Sequence, residues 1–157
     1  MTLSTDTRSL TSLDDALFDI QRIVRRPGYR ARLLAALRIR VELSTVRVLR
    51  AVERFGDQAP CIGDIADQLL IDPSTASRFV EHQVDARYLE RRRDPSDGRR
   101  SQLLLTDSGR ALLDEVTDAR RQILAEVTAD WAPSDLDRLS ELLVHLRADF
   151  DHLESAE

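Results

Sequence analysis

Residues 89–106 read Leu89-Glu90-Arg91-Arg92-Arg93-Asp94-Pro95-Ser96-Asp97-Gly98-Arg99-Arg100-Ser101-Gln102-Leu103-Leu104-Leu105-Thr106. Tyr88 to Arg93 and Ser101 to Leu105 have strand character. Between them, Asp94-Pro95-Ser96-Asp97-Gly98 has the composition of a tight turn. The stretch is therefore expected to form a β-ribbon with an arginine-loaded tip.

Directly upstream lies a helix–turn–helix pattern. Residues 63–70 are expected to be helical, with Ile65, Ala66, Leu69 and Leu70 inward, and Ile71-Asp72 to be the turn. Asp72 is a good N-cap and Pro73 a good first helical residue. A second helix follows over 73–86, with Ala76, Phe79, Val80 and Val84 toward the core. In such a unit the N-terminal residues of the second helix face base edges in the major groove. Here those residues are Ser74, Thr75, Ser77 and Arg78. A single Arg suffices to take guanine O6 and N7 bidentately. Ser74 and Thr75 have an alternative role as helix caps. In the ribbon, Arg91, Arg92 and Arg93 suit phosphates. Asp97 precedes Arg99 by two residues and is placed to orient its guanidinium for a narrow minor groove, with Arg100 beside it.

Apolar periodicity organises the rest of the chain. Leu10, Leu13, Leu17, Ile20 and Val24 form a heptad-like stripe ended by Pro27-Gly28. A second helix is expected over 29–39. Ser44 is read as the cap of a third, which ends at Phe55-Gly56, and Cys61-Ile62 as a very short strand. A long helix from Thr106 to about 129 and a final one over about 134–153 complete the pattern. The first stripe is narrower than a globular core face needs, which points to a dimer seam. Leu13, Leu17, Ile20, Leu139, Leu142 and Leu146 are the dimerisation candidates. A monomeric bundle core is the alternative.

The bulk numbers bound the function. The chain has 157 residues, enough for one domain with a real core, and its net charge is −5. That charge is segregated. Residues 20–56 hold ten Arg against two acids, whereas 106–157 hold thirteen acids against five Arg. Local potential, not the total, steers a polyanion. Every basic residue is Arg. One cysteine excludes an internal disulfide and a Cys-based zinc cage, and fits a reducing cytoplasm. Cys61 reads as a small buried residue. His82, His145 and His152 have no metal-ligand spacing. No apolar run is long enough for a membrane span. No Gly-rich phosphate loop, nucleophile elbow or His/Cys cluster is visible, so no enzyme, metal or cofactor is expected.

The pattern Asp97-x-Arg99-x-x-x-Leu103-x-Leu105-Thr106-x-x-Gly109 resembles the wing of the MarR (multiple-antibiotic-resistance regulator) family. Ser74 to Val80 is similar to that family's recognition-helix segment, and Leu43-Ser44, Val48-Leu49 and Ile65-Ala66 also fit. The resemblance implies a mainly α (α+β) fold over residues 1–157. Residues 44–106 would be a winged helix–turn–helix with a small β-ribbon wing. Residues 10–40 and 107–153 would be an N- and C-terminal helical dimerisation lobe. It further implies a homodimeric repressor that binds a palindromic operator in double-stranded DNA and is released by a small molecule, a ligand or oxidation weakening DNA binding in many members. By location, Tyr29, Arg32, Leu33, Leu37 and Arg40 are the ligand-binding candidates. The alternative is a winged-helix module that binds protein and no DNA. Two positions depart from the family: Gln83 stands where Leu is usual, and Arg87 where Gly is usual.

Overall fold

The computed structural model describes residues 7–37, 40–93 and 101–155, with side chains to 153. The wing-tip candidates Asp97, Arg99 and Arg100 lie outside the described residues. Seven helices and one two-stranded sheet are described: α1 Thr7–Arg25, α2 Pro27–Ala35, α3 Leu43–Arg54, α4 Ile62–Leu69, α5 Pro73–Asp85, β1 Leu89–Arg93, β2 Ser101–Leu105, α6 Asp107–Val127 and α7 Pro133–Ser155. The chain divides into two compact units, one ending at Ala119 and the other beginning at Arg120.

The first unit contains the winged helix–turn–helix. Its core is aliphatic, as the scarcity of aromatics requires. Val48, Leu49 and Val52 of α3, Ile65 and Ala66 of α4, and Ala76 and Val80 of α5 are buried, as are Leu89 and Leu103 of the ribbon. Leu112, Leu113 and Val116 of α6 are buried too. The strands pair antiparallel with Leu89 opposite Leu105 and Arg91 opposite Leu103. Leu103 also donates its N–H to the Pro60 carbonyl at 2.8 Å, which ties the ribbon to the start of α4.

Helix ends explain several departures from the sequence reading. Ser44 does not cap α3. Glu42 holds the N-cap position, and the Ser44 hydroxyl donates to the Glu42 carboxylate at 3.0 Å. Cys61 and Ile62 form no strand. Cys61 is the N-cap of α4 and donates its N–H to Asp64 Oδ2 at 2.7 Å, half of a reciprocal cap. Leu70 is not inward. It sits just past α4 with φ 53° and is 92% exposed. The N–H of Leu70 reaches the Asp67 carbonyl, and that of Ile71 the Ala66 carbonyl, both at 3.1 Å. This pairing is a Schellman motif, whose left-handed residue is usually glycine.

The end of α5 repeats that motif. Arg87 has φ 60°, its N–H bonds the Val84 carbonyl at 3.0 Å, and the Tyr88 N–H bonds the Gln83 carbonyl at 2.9 Å. Arg87 thus takes the conformation expected of the family's glycine. Gln83 is 1% exposed, and its Nε2 donates to the Phe79 carbonyl at 3.1 Å. Its Oε1 is buried with no hydrogen-bond partner among the described residues.

Candidate nucleic-acid interface

The first turn of α5 is built around one carboxylate. Asp72 accepts the Thr75 N–H at 2.9 Å, the Thr75 hydroxyl at 2.7 Å and the Ser74 hydroxyl at 2.5 Å. These donors, the Ser74 hydroxyl foremost and then the Thr75 groups, hold the Asp72 carboxyl well below the usual carboxylate range. Ser74 and Thr75 therefore do act as part of the cap. Their oxygens keep lone pairs, but their hydroxyl protons are committed to Asp72 in the free protein.

Ala76, Val80 and Gln83 are buried, which turns the opposite side of α5 outward. Arg78 is exposed there and makes no ion pair with another described residue. Ser77 is half-buried and donates its hydroxyl to Glu81 Oε1 at 3.2 Å. The same Glu81 oxygen lies 3.7 Å from Arg91 Nη2. Glu81 thus joins the second helix of the helix–turn–helix to the first strand of the ribbon. Sequence reasoning missed this residue. The available signal was its position four after Ser77, on the same helix face.

The three strand arginines divide by their partners. Arg91 leans toward Glu81, and Arg92 pairs with Glu90 at 2.9 Å. Arg93, at the end of the strand, makes no ion pair with another described residue. All three are exposed. At the opposite end of the ribbon, Thr106 closes the unit. Its N–H donates to the Tyr88 carbonyl at 3.1 Å and its hydroxyl to the Arg87 carbonyl at 2.6 Å. The Thr106 oxygen in turn accepts the Gly109 N–H at 3.1 Å, as the N-cap of α6.

The other candidate residues are scattered. Leu33 and Leu37 are buried, Tyr29 is half-buried, and Arg32 and Arg40 are exposed. A cavity of about 390 Å³ lies at the corner of α1 and α2, lined by Phe18, Gln21, Arg22, Arg25, Arg26 and Pro27 and by none of those five. Leu13, Ile20, Leu139 and Leu142 are exposed, and Leu17 and Leu146 are half-buried. No group of acidic, His or Cys side chains suited to a metal ion occurs among the described residues. No described helix is long and apolar enough to cross a membrane.

Residues 41–100 match the family model described as "MarR family". A curated relative is the uncharacterized HTH-type transcriptional regulator YxaD of Bacillus subtilis (strain 168). It is 27% identical over 110 residues, which cover 70% of this chain and 76% of the relative. A MarR family protein from Bacillus stearothermophilus shares the fold with a TM-score of 0.75 and 18% identity, over 94% of this chain and 99% of that one. A mutant MepR of S. aureus, solved bound to an oligodeoxyribonucleotide, aligns with a TM-score of 0.56 and 15% identity over 93% of this chain and 99% of its own. The matched segment runs from just before α3 through residue 100, and over it the chain is similar to the MarR family.

Proposed function

We propose that the protein is a repressor that binds a palindromic operator in double-stranded DNA as a homodimer and is released by a small-molecule ligand. The observation that carries this reading is the outward face of α5 beside the arginine strand. Arg78 is exposed without an ionic partner among the described residues, and Glu81 of this helix lies 3.7 Å from Arg91 of the ribbon. The base-reading positions are Ser74, Thr75, Ser77 and Arg78. Arg91, Arg92 and Arg93 serve phosphates, and Asp97, Arg99 and Arg100, which lie outside the described residues, are assigned to the minor groove. The oligodeoxyribonucleotide bound by the MepR mutant supports DNA as the partner. The helices at both ends of the chain, residues 10–40 and 107–153, supply the dimer contacts. Tyr29, Arg32, Leu33, Leu37 and Arg40 remain the candidates for the effector region.

The test is selection of bound fragments from genomic DNA, followed by anisotropy titrations over a range of salt. Specific affinity should fall steeply with salt. Arg78→Ala should cost about 1–3 kcal/mol and relax specificity at one base pair. Arg99→Ala should weaken binding with the fold intact. Retention on no duplex, or salt-insensitive binding, would instead favour a module that binds protein.

A further inference from the structure

We infer that the first turn of α5 selects base amino groups in the major groove, cytosine N4 foremost, and that Asp72 is the positioning residue that fixes this choice. The inference rests on the reading of α5 as a DNA-recognition helix and adds the chemistry that the helix would recognise.

The three hydroxyl groups of residues 72–81 are all oriented in the same sense. Ser74 donates to Asp72 Oδ1 at 2.5 Å and Thr75 to Asp72 Oδ2 at 2.7 Å. Ser77 donates to Glu81 Oε1 at 3.2 Å. An ionised carboxylate only accepts, so the hydroxyls must be the donors in these pairs. Asp72 is ionised at neutral pH, because its donors hold its carboxyl well below the usual carboxylate range. The lone pairs of three hydroxyls and two carboxylates therefore remain for a partner, and all of them are acceptors. Arg78 is the one basic residue in this stretch, and it only donates.

Phosphate oxygens are acceptors too. A hydroxyl that turned to a phosphate would leave a charge-assisted bond and bring a second anion beside Asp72. The Thr75 N–H, of the kind that binds phosphate at a helix N-terminus, is also taken by Asp72, at 2.9 Å. Base edges offer what phosphates lack. In the major groove cytosine presents its N4 amino group as a donor, whereas adenine sets the N7 acceptor beside its N6 donor. Guanine presents two acceptors, and thymine an acceptor and a methyl. A set of acceptors satisfies cytosine but leaves adenine N7 facing another acceptor. Guanine suits Arg78. The expected half-site thus has a cytosine under the first turn of α5 and a guanine under Arg78.

The test uses the full chain and the duplex selected from genomic DNA, with each cytosine replaced in turn by N4-methylcytosine. That base keeps the pairing hydrogen and replaces the one that projects into the groove. At one cytosine of each half-site the methyl group should weaken binding about tenfold. In the Ser74→Ala, Thr75→Val double variant, which keeps the Asp72 bond to the Thr75 N–H, that ratio should fall to within about twofold. Asp72→Asn, which turns one acceptor into a donor, should lower the ratio about threefold or more, and serves as the second variant should the first misfold. Circular dichroism confirms that each variant is folded. Lost helix stability would weaken both duplexes alike and leave the ratio unmoved. Specific binding that no N4-methylcytosine weakens overturns this inference alone, as does an unchanged ratio in the folded variants. An equal loss with 5-methylcytosine, which keeps both amino hydrogens, would make the effect one of bulk and overturn it too. Retention on no duplex overturns the DNA-binding reading, and this inference with it.

Discussion

A methyl group on Gly109 would overlap the carbonyl oxygen of Tyr88, the same oxygen that accepts the Thr106 N–H. It would also crowd Leu105 Cδ2 at 3.1 Å. The first turn of α6 therefore lies directly against the strand entry of the ribbon, and only glycine fits. Backbone cannot swing aside as a flexible side chain would. Gly109→Ala should destabilise the protein by roughly 1–3 kcal/mol, read from urea unfolding. Unchanged stability would show that this contact is looser than described.

Gln83 is buried on the face of α5 where an apolar residue belongs. Its amide nitrogen borrows the Phe79 carbonyl four residues back, and its oxygen has no partner among the described residues. Leu has a similar size and leaves no polar atom to satisfy. Gln83→Leu should raise stability by about 1 kcal/mol. A loss on that substitution would mean that the Gln83 oxygen has a partner, such as an ordered water.

Leu70 and Arg87 both occupy the left-handed region without being glycine. Each costs strain, offset in part because glycine loses more freedom on folding. Leu70→Gly and Arg87→Gly should each raise stability by roughly 0.5–1 kcal/mol. Arg87→Gly should also weaken DNA binding at low salt by removing a charge beside the ribbon. Equal gains in stability with unequal effects on DNA would separate the two roles.

These positions show what could be read from the chain alone. Asp72-Pro73 was legible because capping is local and depends on residues adjacent in sequence. The ribbon was legible for the same reason. Leu70 was misplaced because apolar periodicity carries no information about backbone handedness, and a left-handed cap turned it outward. Cys61 looked like a strand residue after Pro60. The deciding feature was Asp64, whose carboxylate takes the Cys61 N–H. The Arg50–Thr117 bond joins residues far apart in sequence, so no local pattern announces it. Within the candidate interface, the outward residues of α5 follow from its buried face, whereas the approach of Glu81 to Arg91 depends on the packing of helix on ribbon.

The Asp72 cap predicts a pH dependence of definite sign. Its carboxyl lies below the ordinary range when folded, so the unfolded chain binds its proton more readily. The stabilisation is fully present above the unfolded value near 4 and is lost as pH falls toward the folded one. Asp72→Ala should lower Tm at neutral pH, and the gap from wild type should close in acid. A gap constant from neutral pH well into acid would remove the cap from the account. The same variant frees the Ser74 and Thr75 hydroxyls, so its effect on DNA must be compared with its effect on stability.

The terminal helices predict the oligomeric state. Helix α1 runs from Thr7 to Arg25 without one buried residue, yet it carries a strong apolar stripe. Phe18 and Ile20 are exposed, as are Leu142, Phe150 and Leu153 of α7. An amphipathic helix of this length gains little from propensity alone and needs a surface to cover its apolar face. A second copy of the chain would supply one with the same chemistry. Sedimentation at micromolar concentration should therefore give about twice the monomer mass of 17.8 kDa. Ile20→Glu or Leu142→Glu would place a carboxylate in the seam and should shift the protein toward monomer, with loss of helical signal. On the proposed reading of a homodimer on a palindromic operator, both variants should weaken operator binding far more than a single lost contact, because a lone winged helix would engage only half of the palindrome. A folded wild-type monomer with α1 still helical would overturn the dimer.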